Sequence, residues 1–251
     1  MALTPLPEIN QEAGLLLKRA EWRDFPEVII HAEESLIKKH PLYQLAKSGN
    51  PEAALGLALQ TASLNALDQI SALLGNQRPL LLPVQALETA GLNIIPRMLA
   101  KVLATLLDLP VAAGLVQINR VSHTGADGYS RLAFPALFSG PVQHHSYFLV
   151  DDFIGQGGTL ANLKGWLESA GATVIGASTL TGKAYSAQLG LTKETLRNLR
   201  EKYGNELEQW WLATFGYSFA CLTESEARYL LRADDADTIA NRIVAARRKR
   251  N

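Results

Sequence analysis

The residues most able to do chemistry lie in one stretch, Tyr147 to Leu160, which reads YFLVDDFIGQGGTL. Four apolar residues run into two adjacent carboxylates, Asp151 and Asp152. A turn of Gly155, Gln156, Gly157 and Gly158 follows, and Thr159 then heads a segment with helical spacing. Glycines let backbone N–H groups approach an anion closely. A helix start adds unsatisfied donors and a partial positive charge of roughly half a unit. The Thr159 hydroxyl is a further donor. Carboxylates beside such a cradle repel a bare phosphate, so something must lie between them: vicinal hydroxyls, which carboxylates accept from, or a hydrated Mg2+. Together these groups read as a clamp for a phosphorylated ribose. The competing reading is a tight turn with helix-capping acids. Against it stands the joint occurrence of apolar strand, acid pair, glycine turn, threonine and helix. The dinucleotide pattern G-x-G-x-x-G and the Gly-Lys-Ser/Thr of a P-loop are both missing.

Elements that could position this clamp are readable on either side. Pro79 to Val84, Val111 to Ile118, Tyr147 to Val150 and Thr173 to Leu180 are apolar runs of strand length. Helical spacing occupies Pro96 to Leu107 and about Leu160 to Ala170, the second stopped by Gly171. Strands alternating with helices of this length predict an α/β fold with a mainly parallel sheet flanked by helices. Strands buried on both faces would explain the continuous apolar runs. Ligands of such sheets bind outside the carboxyl ends of the strands, where Asp151 and Asp152 fall. Residues 1–77 read as a helical N-terminal extension packed on the core, with Asn50-Pro51-Glu52 as a helix start and Gly75-Asn76 as a stop. Residues 78–190 form the α/β core, and 191–251 a helical C-terminal region opened by signals such as the capping box Thr223 to Glu226. The turn-rich segment 119–141 reads as a mobile functional loop or a distorted hairpin.

Composition narrows the class further. Of 251 residues, 47% are hydrophobic and 19% charged, enough for a sizeable core without staples. Zero formal net charge argues against a nucleic-acid partner. The lone Cys221 has no intrachain partner, which fits a reducing compartment. With neither a secretory signal nor a membrane-spanning stretch, a soluble cytoplasmic protein is the expectation.

The segment Tyr147 to Thr159 resembles the signature of the type I phosphoribosyltransferases: four apolar residues, two acids, two variable residues, then a Thr/Gly-rich loop. Leu82 to Arg97, LPVQALETAGLNIIPR, resembles the strand, pyrophosphate loop and following helix of that family. The resemblance covers about Leu80 to Lys183. It implies that Asp151 and Asp152 contact the ribose hydroxyls of phosphoribosyl pyrophosphate, and that Gly155, Gln156, Gly157, Gly158 and Thr159 hold its 5-phosphate. Ala86, Leu87, Glu88 and Thr89 would form the pyrophosphate loop, and Mg2+ would bridge ribose and pyrophosphate oxygens, reaching the two acids indirectly. Arg120 and Arg131, flanking the long loop, are candidate cations for the leaving group, ahead of Lys101. Lys183 and Tyr185, after the fourth strand, fall where oxopurine enzymes read and stack on the base.

One departure matters. Gly155 stands where the hypoxanthine-guanine type carries an aspartate proposed as a general base, so that route to a 6-oxopurine is closed, whereas adenine-type and orotate-type members also lack the acid. The implied function is transfer of ribose-5-phosphate to a nitrogenous acceptor of nucleobase type, with a homodimer compatible. The alternative is a non-catalytic sensor of the donor or of nucleotides on the same fold. His123 and the pair His144-His145 read as solvated surface groups, and Trp210-Trp211 as packing for the C-terminal helices; Arg247 to Arg250 reads as a short basic tail that could touch nucleic acid or that the dipole favours at a helix C-terminus.

Overall fold

The computed structural model describes residues 17–88, 91–119, 127–143 and 145–248. The described residues open with strand β1 (Ile29–Glu33) and four helices, α1 (Glu34–Lys39), α2 (Tyr43–Lys47), α3 (Pro51–Thr61) and α4 (Leu64–Leu74). Strand β2 (Leu80–Pro83), the hairpin β3 (Ala86–Glu88) and β4 (Gly91–Asn93), and α5 (Ile95–Leu107) follow. Next come β5 (Val116–Gln117), α6 (Gly128–Ala133) and β6 (Phe138–Ser139). The crossover unit is β7 (Ser146–Ile154), α7 (Gly158–Ser169) and β8 (Thr173–Gly182). Three helices close the chain: α8 (Lys193–Phe215), broken at Gly204, α9 (Glu224–Leu230) and α10 (Ala236–Arg248).

The main sheet runs β1-β8-β7-β2, every pair parallel. Side chains alternate across a strand, and β7 shows the consequence. Phe148 and Val150 enter a core with α3, α4 and α5. Tyr147 and Leu149 enter a second core with Leu160, Leu163 and Leu167 of α7. The sheet is therefore covered on both faces, as its unbroken apolar strands require. A third core gathers α6, α8, α9 and α10 around Trp210 and Trp211, with Trp211 ringed by Phe215, Tyr217 and Phe219. Arg247 from the basic run lies over the Phe215 ring and so packs on this core. The capping box at Thr223 and Glu226 is formed.

Four sequence expectations change. The N-terminal third is not wholly helical: β1 joins the sheet beside β8, and this short run was overshadowed by the strong helix signals after Asn50. The single helix expected from Pro51 to Leu74 is two, because Ser63 caps a new start. Val111 to Ile118 is not a buried strand. Val111 makes one bridge to Leu81, Gly114 turns the chain at φ 84°, and only Val116 and Gln117 pair again, with β6. Val111, Val116 and Ile118 are accordingly exposed. Within the long segment 119–141, α6 and β6 supply regular structure, with Asp127 capping α6; residues 120–126, including Arg120 and His123, lie outside the described residues.

Candidate functional site

Strand β7 does not stop at the acids but continues through Phe153 and Ile154 beyond them, in register with β8. Following the alternation, Asp152 lies on the α3–α5 face and Asp151 on the α7 face. Both are buried, and the Asp152 N–H donates to Asp151 Oδ1 at 2.8 Å. Lys47, at the end of α2, places its ammonium 2.8 Å from Asp152 Oδ2. Asp151 is pushed well above the usual carboxylate range by burial and then by the neighbouring Asp152 charge. The two acids are thus inequivalent: one is matched by a cation, and the other is inclined to keep its proton and donate.

The turn that follows has the shape of an anion cradle. Gly157 adopts φ 81°, a left-handed conformation, as the N-cap of α7, and contributes no capping side chain. The first amides of α7 are therefore uncapped from within. A side chain at 157 would also collide with Leu189, 2.2 Å from the position of its Cβ. Thr159 is half-buried in the first turn of the helix. At Gly155 a Cβ would lie 2.6 Å from Arg131 Nη1, so α6 delivers Arg131 to the face of the turn. The lack of an acid at 155 thus coincides with a guanidinium that occupies the space beside it.

The back of the cradle is built by distant parts of the chain. Thr223 Oγ1 donates to the Gln156 carbonyl at 2.6 Å. Behind Gly158 lies a buried ion pair: Arg19 donates to both Glu226 oxygens at 2.6 and 2.8 Å, and its Nε to Asn162 Oδ1 of α7 at 2.6 Å. The paired carboxylate holds the Arg19 guanidinium charged despite its burial.

Of the other expected site residues, Ala86, Leu87 and Glu88 form β3 rather than an open loop, and Thr89 lies outside the described residues. In an antiparallel pair only alternate residues exchange hydrogen bonds with the partner. β3 therefore keeps outward amides, but fewer than a free loop would. Lys183 is engaged with Glu34, the first residue of α1, and Lys38 shares that carboxylate while lying over the Phe153 ring. Tyr185 is 65% exposed at the same end of the sheet. Lys101 lies on the exposed side of α5. Sequence reasoning missed Lys47, Arg19 and Glu34 and read Glu226 only as a helix cap, because no local pattern marks a partner contributed by a remote element.

No family model matches this chain. It is 40% identical over 231 residues to Protein TraN of Escherichia coli, across 92% of this chain and 52% of that protein. It is 42% identical over 151 residues to an uncharacterized protein of Haemophilus influenzae, across 59% of this chain and 34% of that one. The chain thus spans about half the length of the first relative and a third of the second. Among solved structures it is similar to an adenine phosphoribosyltransferase at 13% identity and a TM-score of 0.34, over 58% of this chain and 76% of that one. It is likewise similar to the adenine phosphoribosyltransferase of Leishmania donovani at 13% identity and a TM-score of 0.32, over 74% and 81%. Likeness at that level does not extend to a shared activity. Among the described residues no helix is long and apolar enough to cross a membrane.

Proposed function

We propose that this protein is a phosphoribosyltransferase that moves ribose-5-phosphate from phosphoribosyl pyrophosphate to a nitrogenous acceptor of nucleobase type. Support comes from the junction of β7 and α7. There two inequivalent acids, a left-handed glycine turn, an uncapped helix start and Arg131 lie together at the carboxyl end of a parallel sheet. The 5-phosphate is taken by the amides from Gly155 to Thr159, with the Thr159 hydroxyl and Arg131 beside them. Asp152 accepts from a ribose hydroxyl, and a protonated Asp151 can donate to a neighbouring oxygen. The bond from C1 to the diphosphate oxygen breaks, an acceptor nitrogen bonds to C1, and the proton of that nitrogen passes to the departing diphosphate or to water. The centre passes through an oxocarbenium-like state. Fixed donors and cations around the departing charge lower its energy more than mobile water would. Asp151 and Asp152 would hold a hydrated Mg2+ indirectly, through its waters or the sugar hydroxyls, and the ion supplies charge neutralisation on the diphosphate. Exposed Tyr185 offers a ring face for the acceptor.

A second reading, a donor or nucleotide sensor without turnover, is favoured by one observation: Asp152 is already satisfied by Lys47. Pyrophosphate release with phosphoribosyl pyrophosphate, Mg2+ and a panel of bases separates the two. Release with one base supports the transferase. Donor binding with no turnover for any base leaves the sensor, and no response to the donor ends both.

A further inference from the structure

Lys47 links two parts of the site that the sequence places far apart. Its ammonium is 2.8 Å from Asp152 Oδ2, with the two side chains 20% and 11% exposed. The backbone just after it is pressed onto the β3–β4 hairpin. A Cβ on Gly91 of β4 would lie 3.0 Å from the Ser48 carbonyl oxygen, and one on Gly49 would lie 3.1 Å from that of Leu92. The hairpin itself continues from β2, the sheet neighbour of β7 through the pair Pro83 and Val150. Lys47 therefore stands where the acid-bearing strand and the hairpin meet. The other cations near this end have different posts: Arg131 lies at the Gly155 turn, and Lys38 and Lys183 lie on Glu34.

We propose that Lys47 is a binding residue for the diphosphate group, held on Asp152 until sugar hydroxyls take over that carboxylate and then donating to the phosphate oxygens beside the hairpin. This rests on the phosphoribosyltransferase reading above and adds a residue to it. The chemistry fits a lysine: a compact ammonium with three rotatable donors on a flexible stem can change partners without rebuilding its surroundings. Exchanging a carboxylate for a diphosphate keeps the charge paired at every stage, so a half-buried cation is never stranded. It also makes the two halves of the donor cooperative. Ribose binding frees the cation that the diphosphate needs, and the diphosphate holds the cation away from the acid that the ribose needs.

The test is calorimetric titration of the full chain with inorganic pyrophosphate and, separately, with ribose 5-phosphate. Lys47→Met should weaken pyrophosphate by about tenfold or more and ribose 5-phosphate by less than about threefold, as expected for loss of one charge-assisted contact. Lys47→Arg should recover most of the pyrophosphate affinity. Asp152→Asn should do the reverse of Lys47→Met: it weakens ribose 5-phosphate and leaves pyrophosphate as tight as in the wild type or tighter, because the competing carboxylate is gone. Should Lys47→Met not fold, this opposite response of Asp152→Asn still decides. Pyrophosphate binding unchanged in Lys47→Met, or weakened by Asp152→Asn, overturns the assignment. A wild type that binds ribose 5-phosphate but not pyrophosphate overturns it while leaving the cradle standing. A wild type that binds neither ends the transferase reading as well.

Discussion

Replacing Arg19 by methionine removes the most heavily engaged cation behind the cradle. The guanidinium makes four hydrogen bonds, two to Glu226, one to Asn162 and one to the Cys221 carbonyl, and lies 4.7 Å from the centre of the Tyr217 ring. Both partners of the ion pair are 3% exposed at the side chain. Methionine fills much of the same space, so the loss is mainly electrostatic: Glu226 stays buried without its cation. Breaking a buried pair from one side costs about 3–5 kcal/mol. Glu226 still accepts from the Thr223 N–H at 2.9 Å, which places the expectation near the low end, about 3 kcal/mol. For a chain of this length that corresponds to a fall in Tm of roughly 6–12 °C. Thermal unfolding followed by far-UV circular dichroism measures it. The double variant Arg19→Met/Glu226→Gln should be more stable than Arg19→Met alone, since the stranded charge is gone, with a coupling of about 1 kcal/mol or more. A single variant within about 2 °C of wild type, or a double variant showing plain additivity, would refute the claim that this pair supports the start of α7.

Other outcomes follow from the same geometry. Thr159→Ala should weaken ribose 5-phosphate by about 1.5–3 kcal/mol, the loss of a hydrogen bond to a charged group, and calorimetry showing no change would count against the cradle. Arg131→Ala should weaken the same ligand with little change in Tm, because the guanidinium lies at the face of the turn; equal affinity in a folded variant would remove Arg131 from the site. His31 accepts from the Ser63 N–H, its Nε2 is buried without a hydrogen-bond partner among the described residues, and burial lowers its pKa from 6.5 to about 4. The folded value is depressed, so the unfolded chain binds the extra proton first, and stability present above 6.5 is lost as pH falls toward 4. Urea unfolding should show this loss, up to about 3 kcal/mol, reduced in His31→Gln. An identical pH slope in the two proteins would show that His31 is not its source.

What the sequence disclosed was what lies close together along the chain. The acid pair, glycine turn and Thr159 are consecutive, and β7, α7 and β8 form one crossover unit with caps and apolar runs in plain view. What stayed hidden was contributed from afar. Lys47 is 105 residues from Asp152, and Arg19 is 207 residues from Glu226. A lone basic residue in a helix has many possible partners, and only the tertiary fold selects one. β1 was missed for a related reason: an edge strand of 5 residues gives little periodic signal, and its partner β8 follows much later. Val111 to Ile118 misled in the opposite sense. Its apolar residues suit a strand, but Gly114 breaks the pairing, and only Leu115 is buried among the large apolar side chains while Val111, Val116 and Ile118 remain at the surface.

The pairing of β1 with β8 also sets an order of events during synthesis. Strand β1 finds its parallel partner only when Thr173 to Gly182 have been made. Until then Ile29 and its neighbours have no sheet to join. The Ser178 and Thr181 hydroxyls that later anchor β1, by donating to the Ile29 and Ala32 carbonyls, do not yet exist. Arg19 waits longer still, for Glu226. Such distant closures slow folding, because the entropy of the intervening loop is lost before the contacts form. The growing chain therefore carries β1 unplaced, open to proteases and chaperones, until a partner 149 residues further along has been made.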